Sequence, residues 1–286
     1  MGADVVAMVS MLCYISQGST RREVRCSGSL AQGGHGKGLH APLRLYLLNM
    51  LSKKETIERE QNEDPFGGLE LVEAKPSPIT TGISEFPFEL LSKPIRLFQD
   101  LSGGCGGKTW EAANVMIDYM LWKNQQCSGK FLENKKIVEV GAGTGLVGIG
   151  VAMGCPNLDT MVITDQIPMM NLMEQNILHN NVQNNVQAQV LNWGEPVPDT
   201  IQFVPDVILA SDCVYLEVAF QPLLDSLAAI SNKDTDIYMS YKKRRKADKR
   251  FFQMARKLFH LTEIEEDPKR QTYNREGLRL YLMKKK

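Results

Sequence analysis

The chain has 286 residues, and 33 Lys plus Arg balance 33 Asp plus Glu, so its formal charge is zero. That length holds one large domain or two small ones at roughly 100–200 residues each. The neutral balance excludes a protein built around a phosphate-neutralising surface and leaves room only for a local basic patch. Apolar residues at 43% and charged residues at 23% exclude a wholly disordered chain, and no apolar run reaches the ~18–20 residues of a membrane-spanning helix.

Cys13, Cys26, Cys105, Cys127, Cys155 and Cys213 form no CxxC pair, and His35, His40, His179 and His260 show no ligand spacing. No metal site is expected, and a reducing compartment fits this cysteine usage. Val5 to Ile15 is apolar but has no preceding Lys or Arg and no clear cleavage pattern, which argues against a signal peptide. Gln17 to Pro42 is rich in Gly and Ser and cannot bury enough surface to offset the entropy of ordering. Residues 1–60 are therefore expected to be a disordered N-terminal extension, with the folded domain over 61–286.

From about Phe66 the pattern becomes that of a folded chain. Ile79-Thr-Thr-Gly-Ile, Phe88-Glu-Leu-Leu and Lys93-Pro-Ile-Arg-Leu-Phe read as short strands of an edge hairpin. Gly103-Gly-Cys-Gly-Gly107 is a loop whose one side chain is a thiol. Trp110 to Trp122 has helical spacing, with Ala113, Met116, Ile117 and Met120 on one face. Strands and helices then alternate. Strands are expected at Ile137–Val140, Met161–Thr164, Gln187–Leu191, Val207–Ala210 and Ile237–Tyr241. Helices are expected from about Gly145, Pro168, Phe220 and Lys246. This alternation predicts a doubly wound, mostly parallel α/β sheet. Leu261–Ile264 and Leu278–Met283 have no evident helix between them, so a hairpin is expected to add one antiparallel strand.

The central signal is Glu139-Val-Gly141-Ala-Gly143-Thr-Gly145, after a strand and at a helix start. Glycines there let the backbone turn sharply and approach a ligand, and the helix N-terminus offers unpaired N–H groups. Asp165 ends the next strand, where a carboxylate can accept hydrogen bonds from ribose hydroxyls. Gly143-Thr-Gly-Leu-Val-Gly148 also fits a dinucleotide fingerprint, so a nicotinamide dehydrogenase competes. Against it, Glu139 beside the loop would repel a pyrophosphate and welcome an amino group, and no second substrate domain follows. Trp193, after the third strand, can lie against an adenine face or simply fill the core. Asp212 and Tyr215, after the fourth strand, can face one reacting atom together, or be a helix cap and a packed ring.

Val138-Glu-Val-Gly-Ala-Gly-Thr-Gly-Leu-Val-Gly148, Thr164-Asp165, Trp193-Gly-Glu195 and Ser211-Asp-Cys-Val-Tyr215, in this order, resemble the seven-β-strand S-adenosylmethionine-dependent protein-lysine methyltransferases of the methyltransferase-like twenty-one group. Gly104-Cys-Gly-Gly-Lys-Thr-Trp110 and Tyr241-Lys-Lys-Arg-Arg-Lys-Ala-Asp-Lys249 are similar to the fungal branch that modifies translation elongation factor 1-alpha. The resemblance covers roughly residues 66–286. It implies a Rossmann-like class I methyltransferase sheet of seven strands, one antiparallel, with an N-terminal β-hairpin. It also implies S-adenosyl-L-methionine as cofactor and a lysine of elongation factor 1-alpha as substrate. Trp110 would close over the cofactor, and Gly141, Ala142 and Gly143 would lie beside its methionyl part. Asp165 would take the ribose and Trp193 the adenine. Ser211 stands where relatives usually have Ala. Asp212 and Tyr215 match the acid-x-x-aromatic motif at the lysine-accepting site, with Asp212 orienting the amine and Tyr215 aiming its lone pair.

A cytoplasmic monomer that binds neither membrane nor nucleic acid is expected. A nucleic-acid methyltransferase, lacking here its Pro-Pro-Tyr or Pro-Pro-Phe signature, and a non-catalytic interaction protein remain the rivals. The run Lys242 to Arg250 holds seven bases and one acid. It reads as a solvated helix start, a localisation-like patch or a docking surface.

Overall fold

The structure is a computed structural model, and it describes residues 82–286. The extension expected over 1–60, and the part of the first expected strand before Gly82, lie outside the described residues. Among the described residues the first elements are β1 (Gly82–Phe86) and β2 (Ile95–Gln99), an antiparallel pair running from Gly82 opposite Gln99 to Phe86 opposite Ile95. There follow α1 (Ala112–Gln126), β3 (Lys136–Val140), α2 (Leu146–Gly154), β4 (Thr160–Asp165), α3 (Ile167–His179), β5 (Val186–Val190), β6 (Val207–Ser211) and α4 (Phe220–Ile230). The chain closes with β7 (Asp236–Lys242), α5 (Asp248–Leu258), β8 (Phe259–Glu263), α6 (Arg270–Arg275) and β9 (Leu278–Lys285).

Strands β3 and β6 are Val- and Ile-rich and buried along almost their whole length, the pattern of strands covered on both faces. They lie side by side at the centre of a seven-stranded sheet ordered β5-β4-β3-β6-β7-β9-β8. Neighbours from β5 to β7 are parallel, and β9 runs antiparallel to both β7 and β8. The chain winds outward one way from β3 and the other way from β6. A crevice therefore opens at the carboxyl ends of these two strands. Register brings the right residues to it: Val140 pairs with Thr164 and Ala210, Asp165 with Val190, and Ser211 with Ser240. One face of the sheet is filled by α1, α2 and α3 around fully buried Met116, Ile117, Ile149 and Met173. The other is filled by α4 and α5 around Phe220, Leu224 and Phe251.

The hairpin is fastened to α3 by two asparagines one helical turn apart. Fully buried Asn176 accepts from the Phe98 N–H (2.8 Å) and donates to the carbonyls of Phe98 (3.0 Å) and Thr144 (2.9 Å). Asn180 accepts from the Arg96 N–H (2.9 Å) and donates to its carbonyl (2.7 Å). Four helical residues rise about 6 Å and two strand residues about 6.7 Å. The two side chains thus match alternate residues of β2 and satisfy a sheet edge that would otherwise offer itself to other strands.

Three expectations are corrected. Phe88–Leu91 is a turn, closed by the Leu91 N–H donating to the Phe88 carbonyl, because the hairpin needs its connection there. The last two strands are joined through the short helix α6. And α5 begins at Asp248 rather than near Lys246, because the Asp248 carboxylate accepts the backbone N–H groups of Arg244 and Arg245 (both 3.2 Å) and holds that segment as a loop.

Candidate active site

The glycine loop leaves β3 in left-handed conformations that favour glycine, with φ of 66° at Gly141 and 56° at Gly143. A Cβ on Gly141 would stand 2.8 Å from the Trp193 ring and 3.0 Å from Cys213 Sγ. A Cβ on Gly143 would stand 2.5 Å from the Gly106 carbonyl oxygen. Three separate segments therefore close on this loop: the tryptophan after β5, the turn after β6, and the Gly-Cys-Gly-Gly turn after β2. The last is a tight loop in which the Asp100 N–H donates to the Gly107 carbonyl (2.8 Å), and Gly106 lies against Gly143 and Met169.

Half-buried Asp165 accepts from the Gly143 N–H (2.8 Å) and the Gln166 N–H (2.7 Å), which ties the loop to the end of β4. Burial pushes its carboxyl above the usual range, and these two N–H groups pull it back. Ala142 is held by its N–H to the Thr164 carbonyl (2.9 Å). Ser211, at the end of β6, lies 3.1 Å from Ser240 Oγ, which donates to the Ala112 carbonyl at the start of α1 (2.8 Å). Its extra hydroxyl relative to Ala is thus satisfied within the protein.

Glu139 does not greet a ligand as its place in the sequence had implied. It is 2% exposed, and its Oε2 accepts from the Gly148 N–H (2.8 Å) beneath the loop. Burial pushes its carboxyl up to about 8, only partly offset by that N–H and reinforced by Asp165. It is a strut between β3 and α2.

Asp212 also has a left-handed φ, 54°, and is held by its N–H to the Ser240 carbonyl (2.8 Å). Its carboxylate is bridged by the Arg244 guanidinium, Nη1 to Oδ1 at 2.7 Å and Nη2 to Oδ2 at 2.6 Å. Arg244 lies 5.5 Å from the centre of the Trp110 ring, and the Lys108 ammonium 4.2 Å from it. Trp110 Nε1 donates to the Cys105 carbonyl (3.0 Å). Cys105 Sγ is 3.8 Å from the Tyr215 hydroxyl. Asp212, Arg244, Trp110, Cys105 and Tyr215 thus form one chain of contacts over the glycine loop. Of these, Cys105 was not a candidate in the sequence, and Arg244 stood there only among the bases of a docking surface. The glycines flanking Cys105 were the available signal, since they let a backbone come this close. Arg244 was hidden in a charge run. Because it is committed to Asp212, and Arg245 donates to the Tyr215 carbonyl, neither is a spare cation of a docking face. Besides these two arginines, the exposed bases of the run are Lys243, Lys246, Lys249 and Arg250.

The crevice suits an adenosyl ligand. Asn192 Nδ2 donates to Glu195 (2.9 Å), which fixes the amide and leaves buried Oδ1 without a partner among the described residues, next in the chain to Trp193. Asn192 and Trp193 follow β5 and Asp165 ends the neighbouring strand β4, so an acceptor, an aromatic ring and a carboxylate come to the carboxyl edge of the sheet, where a nucleoside-type ligand finds its partners. Among the described residues no cluster of His, Cys, Asp or Glu could hold a metal ion.

The sheet order, the reversed last strand and this crevice define a Rossmann-like class I methyltransferase. A family model described as lysine methyltransferase matches residues 90–258, and the chain belongs to that family. It is a protein-lysine N-methyltransferase dependent on S-adenosylmethionine. The chain is similar to protein-lysine N-methyltransferase EFM6 of Saccharomyces cerevisiae, 35% identical over 204 residues, which are 64% of this chain and 82% of that protein. Against protein N-lysine methyltransferase METTL21A of Danio rerio it is 35% identical over 192 residues, 65% of this chain and 84% of that one. Against EEF1A lysine methyltransferase 3 of Mus musculus it is 32% identical over 171 residues, 57% and 68%. No helix of the described residues is long and apolar enough to cross a membrane.

Proposed function

We propose that the protein methylates a lysine of translation elongation factor 1-alpha, acting in the cytoplasm as a monomer without a nucleic-acid partner. The observation that carries the site assignment is the unbroken run of contacts from Asp212 through Arg244, Trp110 and Cys105 to Tyr215, laid over the glycine loop. The substrate follows from likeness to a protein named as an EEF1A lysine methyltransferase and from the neutral charge, which gives little affinity for a phosphate backbone. When bound, S-adenosylmethionine supplies an electrophilic methyl group on a sulfonium. Gly141, Ala142 and Gly143 would admit its methionyl part, Asp165 its ribose hydroxyls and Trp193 its adenine, with Ser211 at the rim. Trp110, anchored through Cys105, would cover it and exclude water. Asp212 accepts a hydrogen bond from the lysine amine and fixes its direction, and Tyr215 limits its approach; such positioning is the main lever in a displacement.

Incubation with methyl-labelled S-adenosylmethionine and cell extract, half of it nuclease-treated, tests this. One labelled band at the size of elongation factor 1-alpha, insensitive to nuclease, is expected. Asp212→Asn and Tyr215→Phe should lower turnover at least tenfold while S-adenosylhomocysteine binding by calorimetry holds. Label confined to nucleic acid, or full activity in both variants, would sink the proposal.

A further inference from the structure

Resting on this reading of the lysine site, we propose that Arg244 is a positioning residue for the methyl-accepting lysine. By bridging Asp212 it neutralises that carboxylate, so that Asp212 can orient the amine without holding it in its charged, non-nucleophilic form.

The geometry is specific. The Asp212 side chain is 5% exposed, and both its oxygens are taken by one guanidinium. The Lys242 N–H adds a third, longer bond at 3.3 Å. A carboxylate offers about four acceptor sites, so one remains for a substrate N–H. A lysine in water holds its proton up to about pH 10.4, and a bare buried carboxylate beside it would hold that proton tighter still, by about one to three pH units. Paired with Arg244, Asp212 keeps its acceptor while the pair as a whole carries no net charge. Arginine suits the task because its fork matches a carboxylate at two points and does not deprotonate, and Asp212 secures its charge further.

The other charges around Asp212 are engaged elsewhere. The Lys242 ammonium pairs with Glu111. Arg245 pairs with Asp248 (3.6 Å), whose other oxygen accepts the Arg244 and Arg245 N–H groups. Cys213, next in the chain, donates to the Val140 carbonyl (3.3 Å), and burial, with Asp165, Asp212 and Glu139 nearby, pushes its thiol up so that it stays neutral. Tyr215 and Cys105 face each other from the remaining side. Arg244 is the cation that meets the carboxylate, and Trp110 backs it.

The experiment is kcat and kcat/KM from about pH 6.5 to 10, with elongation factor 1-alpha and labelled S-adenosylmethionine. Wild type is compared with Arg244→Gln, Arg244→Lys and Asp212→Asn. Because kcat reports groups in the complex and kcat/KM those of the separate species, only the kcat limb should move. Arg244→Gln should raise it by about one to three units, a tenfold to thousandfold loss near pH 7.5 regained in alkali. Arg244→Lys should raise it less, and Asp212→Asn should lower it, on top of its reduced maximum. A Gln variant that loses activity equally at every pH overturns the proposal. So does a Lys limb displaced as far as the Gln limb, or an Asn limb moving upward; these two arms decide the matter if the Gln variant does not fold. A wild-type enzyme that labels no lysine at any pH overturns the substrate reading and this role with it, whereas an active wild type with unmoved variants overturns this role alone.

Discussion

Glu139 is 2% exposed and faces a backbone N–H rather than a cation, so its charge is expensive in the folded protein. Its carboxyl is pushed up to about 8 from an ordinary 4.5. Between these values the folded chain keeps a proton that the unfolded chain releases. Stability therefore falls as pH rises through 4.5 to 8 and levels off above it. The gap of about 3.5 units corresponds to an upper bound on the order of 5 kcal/mol. Glu139→Gln removes the titration, and its amide oxygen can still take the Gly148 N–H. Urea unfolding followed from about pH 5 to 9 should then show little difference near pH 5 and a variant several kcal/mol more stable near pH 9. Asp165, also raised by burial, remains in the variant and leaves a residual slope of the same sign. An unchanged slope, or a variant less stable than wild type at pH 9, would refute the assignment of Glu139 as a buried strut without a counter-charge.

Other outcomes follow from single contacts. Asn176→Ala strands the Phe98 N–H and the carbonyls of Phe98 and Thr144; at about 1–3 kcal/mol per buried group it should cost at least about 3 kcal/mol in thermal unfolding, and a loss under about 1 kcal/mol would mean the hairpin is held by something else. Gly143→Ala should weaken S-adenosylhomocysteine binding at least tenfold in calorimetry, because its Cβ would lie 2.5 Å from the Gly106 carbonyl oxygen. Gly129→Ala, with φ of 82° but nothing within 4 Å of the new Cβ, isolates the backbone cost of about 1–2 kcal/mol and should leave binding intact; equal losses in the two variants would refute the steric argument.

Much of the fold was legible because periodicity and glycine placement are local facts. The alternation from Ile137 onward located every strand of the large sheet to within two residues, and the helix at Phe220–Ile230 at both ends. Phe88–Leu91 and the helix before β9 were misread, since four apolar-biased residues and a six-residue helix carry too short a pattern to decide between states. The glycine loop, Asp165, Trp193, Asp212 and Tyr215 were legible as strand-end residues because a parallel sheet brings such ends together.

The linear pattern carries the list of parts: a strand–helix alternation, three glycines at a turn, an acid closing the next strand, and an acid and a phenol three apart. Tertiary structure decided the partners. Glu139 lost its ligand role to the Gly148 N–H, because the start of α2 packs directly over β3. Arg244 left a run of apparently equivalent bases for Asp212, because β7 and β6 are neighbours and Asp248 holds the loop between β7 and α5 against them. Cys105 reached Tyr215 across 110 residues of chain, because Gly106 can rest on Gly143. Local pattern specifies what each segment can become; which charge meets which depends on distances that exist only once the sheet has closed the chain upon itself.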